Sequence, residues 1–158
     1  MPIESFLNAS GIRIKRGMKG LVYDGTGQIY FSKAPKIGID SNLWACLKIA
    51  VDQTGLAVEV SSVDTGRHVP GSRHYQGRAA DIHVVIRVGN KLVGTNANLA
   101  NAEASKFYHY LLDHGFHVGE GRAWPAVIWG PPHTHTNPTG IPHDSHLHVS
   151  LPRRRDKG

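Results

Sequence analysis

The stretch Arg78-Ala79-Ala80-Asp81-Ile82-His83-Val84-Val85-Ile86-Arg87-Val88 constrains this chain more than any other. Its β-branched, apolar run reads as the strongest strand in the sequence, ended by Gly89-Asn90. Side chains alternate along a strand, so Ala79, Asp81 and His83 share one face. A carboxylate in an otherwise apolar strand is costly unless it is paired or coordinated. Asp81 is therefore a candidate metal ligand, and the small Ala79 leaves room beside it.

The segments around this strand place it in a fold. Residues 11–32 read as a hairpin folding around Asp24-Gly25-Thr26-Gly27. Ser41 or Asp40 caps a helix over 42–54, with Leu43, Leu47, Ala50 and Val51 on one face and Gly55 as its stop. Residues 56–63 alternate as a strand, and 64–76 form a loop. A second helix is expected over 101–114, with Gly115 as its C-cap. Residues 125–129 and 146–151 read as strands separated by a long polar loop, and structureless loops of that length are usually functional. Helices and strands are interspersed without a repeating βαβ unit. The expectation is an α+β fold, a mainly antiparallel sheet with helices on one face.

The 158 residues fit one domain, with 40% hydrophobic and 19% charged residues. We divide it into an N-terminal hairpin extension (1–40), a metal-binding core (41–151) and a basic tail (152–158). A single cysteine, Cys46, excludes an intrachain disulfide and a cysteine-rich zinc site. The N-terminus lacks the order of a signal peptide and no segment is apolar enough to span a membrane, so synthesis in the cytoplasm is expected. The net charge of +6 favours polyanions such as a wall polymer. No helix concentrates basic residues and no aromatic-basic RNA motif occurs, so nucleic acid is not expected as a partner. A monomer is expected.

Histidine is the unusual component. Of eleven in the chain, His133, His135, His143, His146 and His148 crowd together, and such density points to metal or proton chemistry. Zinc takes about four nitrogen, sulfur or oxygen ligands, and a catalytic zinc keeps one position for water. In Ser72-Arg73-His74-Tyr75-Gln76-Gly77-Arg78-Ala79-Ala80-Asp81 a histidine ends the loop and the aspartate follows in the strand, with Gly77 permitting the sharp entry between them. His146-Leu147-His148 sets two imidazoles on one face of the last strand. His148 can complete the ligand set, with His83 as the rival.

Ser-x-His-x-x-Gly-x-Ala-x-Asp followed by a late His-x-His resembles the zinc peptidase superfamily of lysostaphin, the D-alanyl-D-alanine peptidases and the hedgehog amino-terminal domain. SRHYQGRAADI and HLHVS look especially like hedgehog-like phage and bacterial peptidoglycan peptidases. The resemblance spans roughly residues 40–151. It implies one zinc ion held by His74, Asp81 and His148, with Ser72 supporting the first ligand by hydrogen bonding and His146 supporting catalysis. The activity implied is metal-assisted hydrolysis of a peptide bond in a peptidoglycan stem peptide, by an endolysin or virion-associated lysin. Both an L-alanyl-D-glutamate and a D-alanyl-linked bond fit.

The chain departs from that pattern in two places. Family members of the D-alanyl-D-alanine type carry an acidic residue three positions before the last ligand, where this chain has Ser145. Asp144, jointly with His146, is the candidate proton carrier, and Glu120 is a more distant option. The Tyr-Arg pair that usually clamps the oxyanion is absent near Val63-Asp64, and Arg67 is the substitute. Tyr75 is a candidate to lean over the metal, and His83 to line the cleft. His68, His133, His135 and His143 read as polar loop residues. These departures motivate an alternative, a non-catalytic zinc-binding module of a phage or bacterial structural protein.

Overall fold

The structure, a computed structural model, describes residues 15–16, 22–23, 29–31, 38–64, 68, 72–88, 91–94, 101–120 and 124–152. Among them lie two α-helices, α1 (Ser41–Thr54) and α2 (Ala102–Asp113). The strands are β1 (Lys15–Arg16), β2 (Val22–Tyr23), β3 (Ile29–Phe31), β4 (Ala57–Ser62), β5 (Ala79–Val88), β6 (Lys91–Gly94), β7 (His117–Val118), β8 (Ala126–Gly130) and β9 (His143–Ser150). They form one sheet in the order β1-β2-β3-β4-β5-β9-β8-β7, with β6 paired to β5 off that path. The architecture is α+β. Most pairings are antiparallel, but β3–β4 and β7–β8 are parallel, so the sheet is mixed.

The helix boundaries follow from capping chemistry. Asp40, rather than Ser41, caps α1: its Oδ1 accepts the amides of Asn42 (2.9 Å) and Leu43 (3.3 Å), donors that lack partners within the helix. Gly55, at φ 70°, ends α1 in the left-handed conformation. At the end of α2 the cap is His114, followed by Gly115 at φ 95°, and the Phe116 amide returns to the Leu111 carbonyl. Leu43, Leu47 and Val51 of α1 and Phe107 and Leu111 of α2 are buried in one core with Val58 and Val60, Ala80, Ile82 and Val84, Val127, and Leu147 and Val149 of the sheet. These strand residues alternate with those of the functional motif. Helices cover one face, and Asp81 and His148 project from the other.

β5 is the organising strand. One side pairs with β4, and the other is shared end to end by β9 (Ala79↔Ser150 to Ile82↔Leu147) and β6 (Val85↔Gly94 to Val88↔Lys91). Asp81 and His148 are direct cross-strand partners. Two irregularities bracket this pair. Two steps along β4 (Val60 to Ser62) match one along β5. Two steps along β8 (Ile128 to Gly130) match five along β9 (His148 to His143), so β9 bulges over 144–147. Bulges re-aim side chains beside sites.

Several expectations change. The final strand begins at His143 rather than His146, which shortens the loop before it to 131–142. That loop is ordered around Asn137, fully buried, whose amide donates to the Gly130 and Ile141 carbonyls and accepts from Thr139. The expected hairpin at 11–32 is a run of β1, β2 and β3 in which β2 and β3 pair across the Asp24–Gly27 segment; that segment itself lies outside the described residues. β6, β7 and a 3-10 turn at Arg73–Gln76 had no expectation attached to them.

Candidate metal centre

His74 is delivered by the 3-10 turn Arg73–Gln76. Ser72 caps that turn, its Oγ accepting the His74 amide at 3.2 Å. Its support of His74 is thus to the backbone, whereas the imidazole is held by the Val63 carbonyl, 2.6 Å from Nδ1. Gly77 closes the turn at φ 68°, and a Cβ there would lie 2.7 Å from the Gly38 carbonyl oxygen. Only glycine satisfies both demands, and the chain passes directly from His74 into β5 and Asp81.

Three donor atoms converge. His74 Nε2 lies 3.4 Å from Asp81 Oδ1 and 3.3 Å from His148 Nδ1, and His148 Nδ1 lies 3.4 Å from the same Oδ1. Ligands at about 2.0–2.1 Å around a tetrahedral ion stand about 3.3–3.4 Å apart, so the triangle has the dimensions of one face of a zinc site. The remaining nitrogens fix the tautomers. His74 Nδ1 donates to the Val63 carbonyl, and His148 Nε2 donates to Glu120 Oε2 at 2.9 Å. In the neutral form, the one that can bind a metal, each ring therefore turns a lone pair inward. Asp81 Oδ1 is buried without a hydrogen-bond partner. In that neutral form, two lone pairs and a carboxylate oxygen this close repel one another unless a metal ion lies among them; without metal, a proton on His148 supplies the positive charge. These residues fit a metal ion.

His68 adjoins the same place. It forms with His74 and Asp81 a group able to hold a metal ion, with ligand atoms within 4.8 Å of one another. Its ring lies flat on that of His74, centroids 3.8 Å apart, and its Nε2 meets Ser62 Oγ at 3.1 Å. The set containing His148 is the tighter one and has the tetrahedral spacing, so His68 stands as a flanking group.

The charges follow from the packing. Burial opposes ionisation of Asp81, but His148 and His74 outweigh it and hold its carboxyl well below the ordinary range. Burial likewise works against a charge on His148, yet Asp81 and Glu120 on either side push its pKa up to about 9. For Glu120, burial is overcome by His148, Ser150 and Arg73, which hold it at about 2. His146 and His143 are shifted down, burial being the first cause in each, so both are neutral imidazoles at neutral pH.

His146 Nε2 stands 3.5 Å from Asp81 Oδ1, beside the triangle, and Ser145 Oγ meets its Nδ1 at 3.3 Å. A cavity of about 320 Å³ opens over the donors, with Ile128, Thr139, Ile141 and Pro142 on its wall. His143 also lines it, its Nδ1 donating to the Ile141 carbonyl at 2.9 Å. His83 does not line this cavity; its ring lies 6.2 Å from that of His146. Tyr75 does not lean over the donors. It is exposed, and its hydroxyl donates to the His68 carbonyl and accepts the His68 amide, pinning that loop. Arg67 and the side chain of Asp144 lie outside the described residues.

The reading from sequence missed His68, Arg73 and the true place of Glu120. Glu120 is 28 residues from His148 and belongs to no spacing pattern; Arg73 occupies an unconstrained position of the motif. Compared with known proteins, the chain matches no family model, no curated protein and no solved structure.

Proposed function

We propose that His74, Asp81 and His148 hold one zinc ion and that the chain hydrolyses a peptide bond in bacterial peptidoglycan. The observation that carries the metal is the buried, unpartnered Oδ1 of Asp81 facing one ring nitrogen each of His74 and His148 at 3.4 Å. When bound, zinc would acidify a water and polarise the scissile carbonyl. The protein's own groups supply the rest. His146, neutral and directed at the donor set, is placed to accept a proton and pass it to the leaving amine. The wall of Ile128, Ile141 and Pro142 offers apolar surface to the substrate. Peptidoglycan as the substrate, and a hedgehog or D-alanyl-D-alanine peptidase type of fold, rest on the Ser-x-His-x-x-Gly-x-Ala-x-Asp and His-x-His resemblance. The net charge of +6 suits an anionic wall.

The test is digestion of purified cell walls and defined muropeptides by the zinc-loaded chain, with products identified by mass. A new amino terminus within the stem peptide is expected. Intact stem peptides with zinc at full occupancy contradict the hydrolytic reading.

One observation favours the alternative of a non-catalytic zinc module: His146 Nε2 is close enough to Asp81 to serve as a fourth ligand. The two readings separate in His146→Ala. As proton carrier, its loss keeps zinc and lowers cleavage by roughly a hundredfold or more; as fourth ligand, its loss weakens zinc binding itself.

A further inference from the structure

His148 is held from behind by groups that do not touch the donor triangle. Glu120 Oε2 accepts from His148 Nε2 at 2.9 Å and from Ser150 Oγ at 2.7 Å, and lies 3.5 Å from Arg73 Nε. Arg73 Nη1 donates to Ser150 Oγ at 3.0 Å and to the Trp124 carbonyl at 3.3 Å. Arg73 is 4% exposed and Ser150 0%. A guanidinium at this depth needs its carboxylate fixed beside it, and a fixed carboxylate in turn fixes whatever donates to it.

An imidazole can bind metal through either ring nitrogen, and the hydrogen bond made by the other nitrogen decides which. We propose that Arg73, Glu120 and Ser150 form a brace that selects Nδ1 of His148 as the metal-binding nitrogen and sets the affinity of the centre. This rests on the reading of His148 as a ligand. Its consequence is that Ser72-Arg73-His74 governs both histidines: His74 is a ligand, and Arg73, one residue earlier, reaches across to the strand that carries the other. Glu120, with Oε2 facing three donors, is a positioning residue and not the proton carrier.

The test uses the full chain, titrated with zinc against a chromophoric chelator, together with the proton resonance of His148 Nε2–H in the zinc-loaded protein. Glu120→Ala is expected to weaken zinc binding about 10- to 100-fold and to lose the slowly exchanging Nε2–H resonance. Glu120→Gln keeps an acceptor for that hydrogen and is expected to restore the resonance and most of the affinity. Arg73→Lys, which keeps the charge but not the planar fork, falls between. Wild-type affinity and an unchanged resonance in Glu120→Ala would overturn the brace alone. A wild-type chain that takes up no zinc would overturn the metal reading and the brace with it.

Discussion

Asp81 sits where a strand of this kind would ordinarily carry an apolar or paired residue, and its surroundings explain why it is tolerated. Its Oδ1 faces three imidazole nitrogens across 3.4–3.5 Å, distances too long for a well-formed hydrogen bond. Without metal, charge is balanced by a proton on His148, between Asp81 and Glu120. The pH dependence of the metal-free protein follows. Asp81 and Glu120 have folded pKa values below their ordinary ones, so their contribution to stability is present above about 4.5 and is lost as pH falls. His148 is raised to about 9, so its contribution is complete below its ordinary value of 6.5 and is lost as pH rises through about 9. In chelator, thermal unfolding is therefore expected to show highest Tm between about pH 4.5 and 6.5. Glu120→Gln should flatten both limbs, because it removes one depressed carboxylate and one support of the His148 proton. A profile in Glu120→Gln identical to the wild type would contradict this electrostatic description.

Two short elements deliver the site, the 3-10 turn before β5 and the loop 131–142 before β9. Gly77 is indispensable to the first. Gly77→Ala combines a left-handed backbone with a Cβ 2.7 Å from the Gly38 oxygen, and is expected to cost about 2 kcal/mol or more in denaturant unfolding. Asn137 holds the second. Asn137→Ala strips partners from the Gly130 and Ile141 carbonyls, and a loss of about 2–3 kcal/mol is expected, with faster proteolysis between 131 and 142. How far such elements are legible depends on what encodes them. Both helices, β4, β5 and the candidate donors His74, Asp81 and His148 were legible because periodicity, caps and the motif are local signals. Gly77 was readable because its role is a local backbone conformation. The start of β9 at His143 was not, since it depends on pairing of Gly130 with His143 across a bulge. Glu120 was not, since a partner of His148 28 residues away is set by β9 lying beside β8 and has no sequence period. His68 looked like any polar loop residue; only the stacking on His74 distinguishes it.

At the scale of the whole molecule, the sheet separates stability from chemistry. Helices α1 and α2 bury one face against β4, β5, β8 and β9, and alternation leaves Asp81 and His148 on the other. No helix among the described residues is long and apolar enough to cross a membrane. Because the donors come from the turn after the β4 loop, from β5 and from β9, an ion bound there links segments far apart in the chain and stabilises only the folded state. Zinc at about a hundredfold excess over Kd is expected to add about 2.7 kcal/mol to the unfolding free energy, and chelator to reverse it. The most direct test of the central claim is zinc content per chain, measured by elemental analysis after gel filtration. One zinc is expected in the wild type and in His83→Ala, and close to none in His74→Ala, Asp81→Ala and His148→Ala. Full zinc in any of those last three, or its loss in His83→Ala, would contradict the assignment.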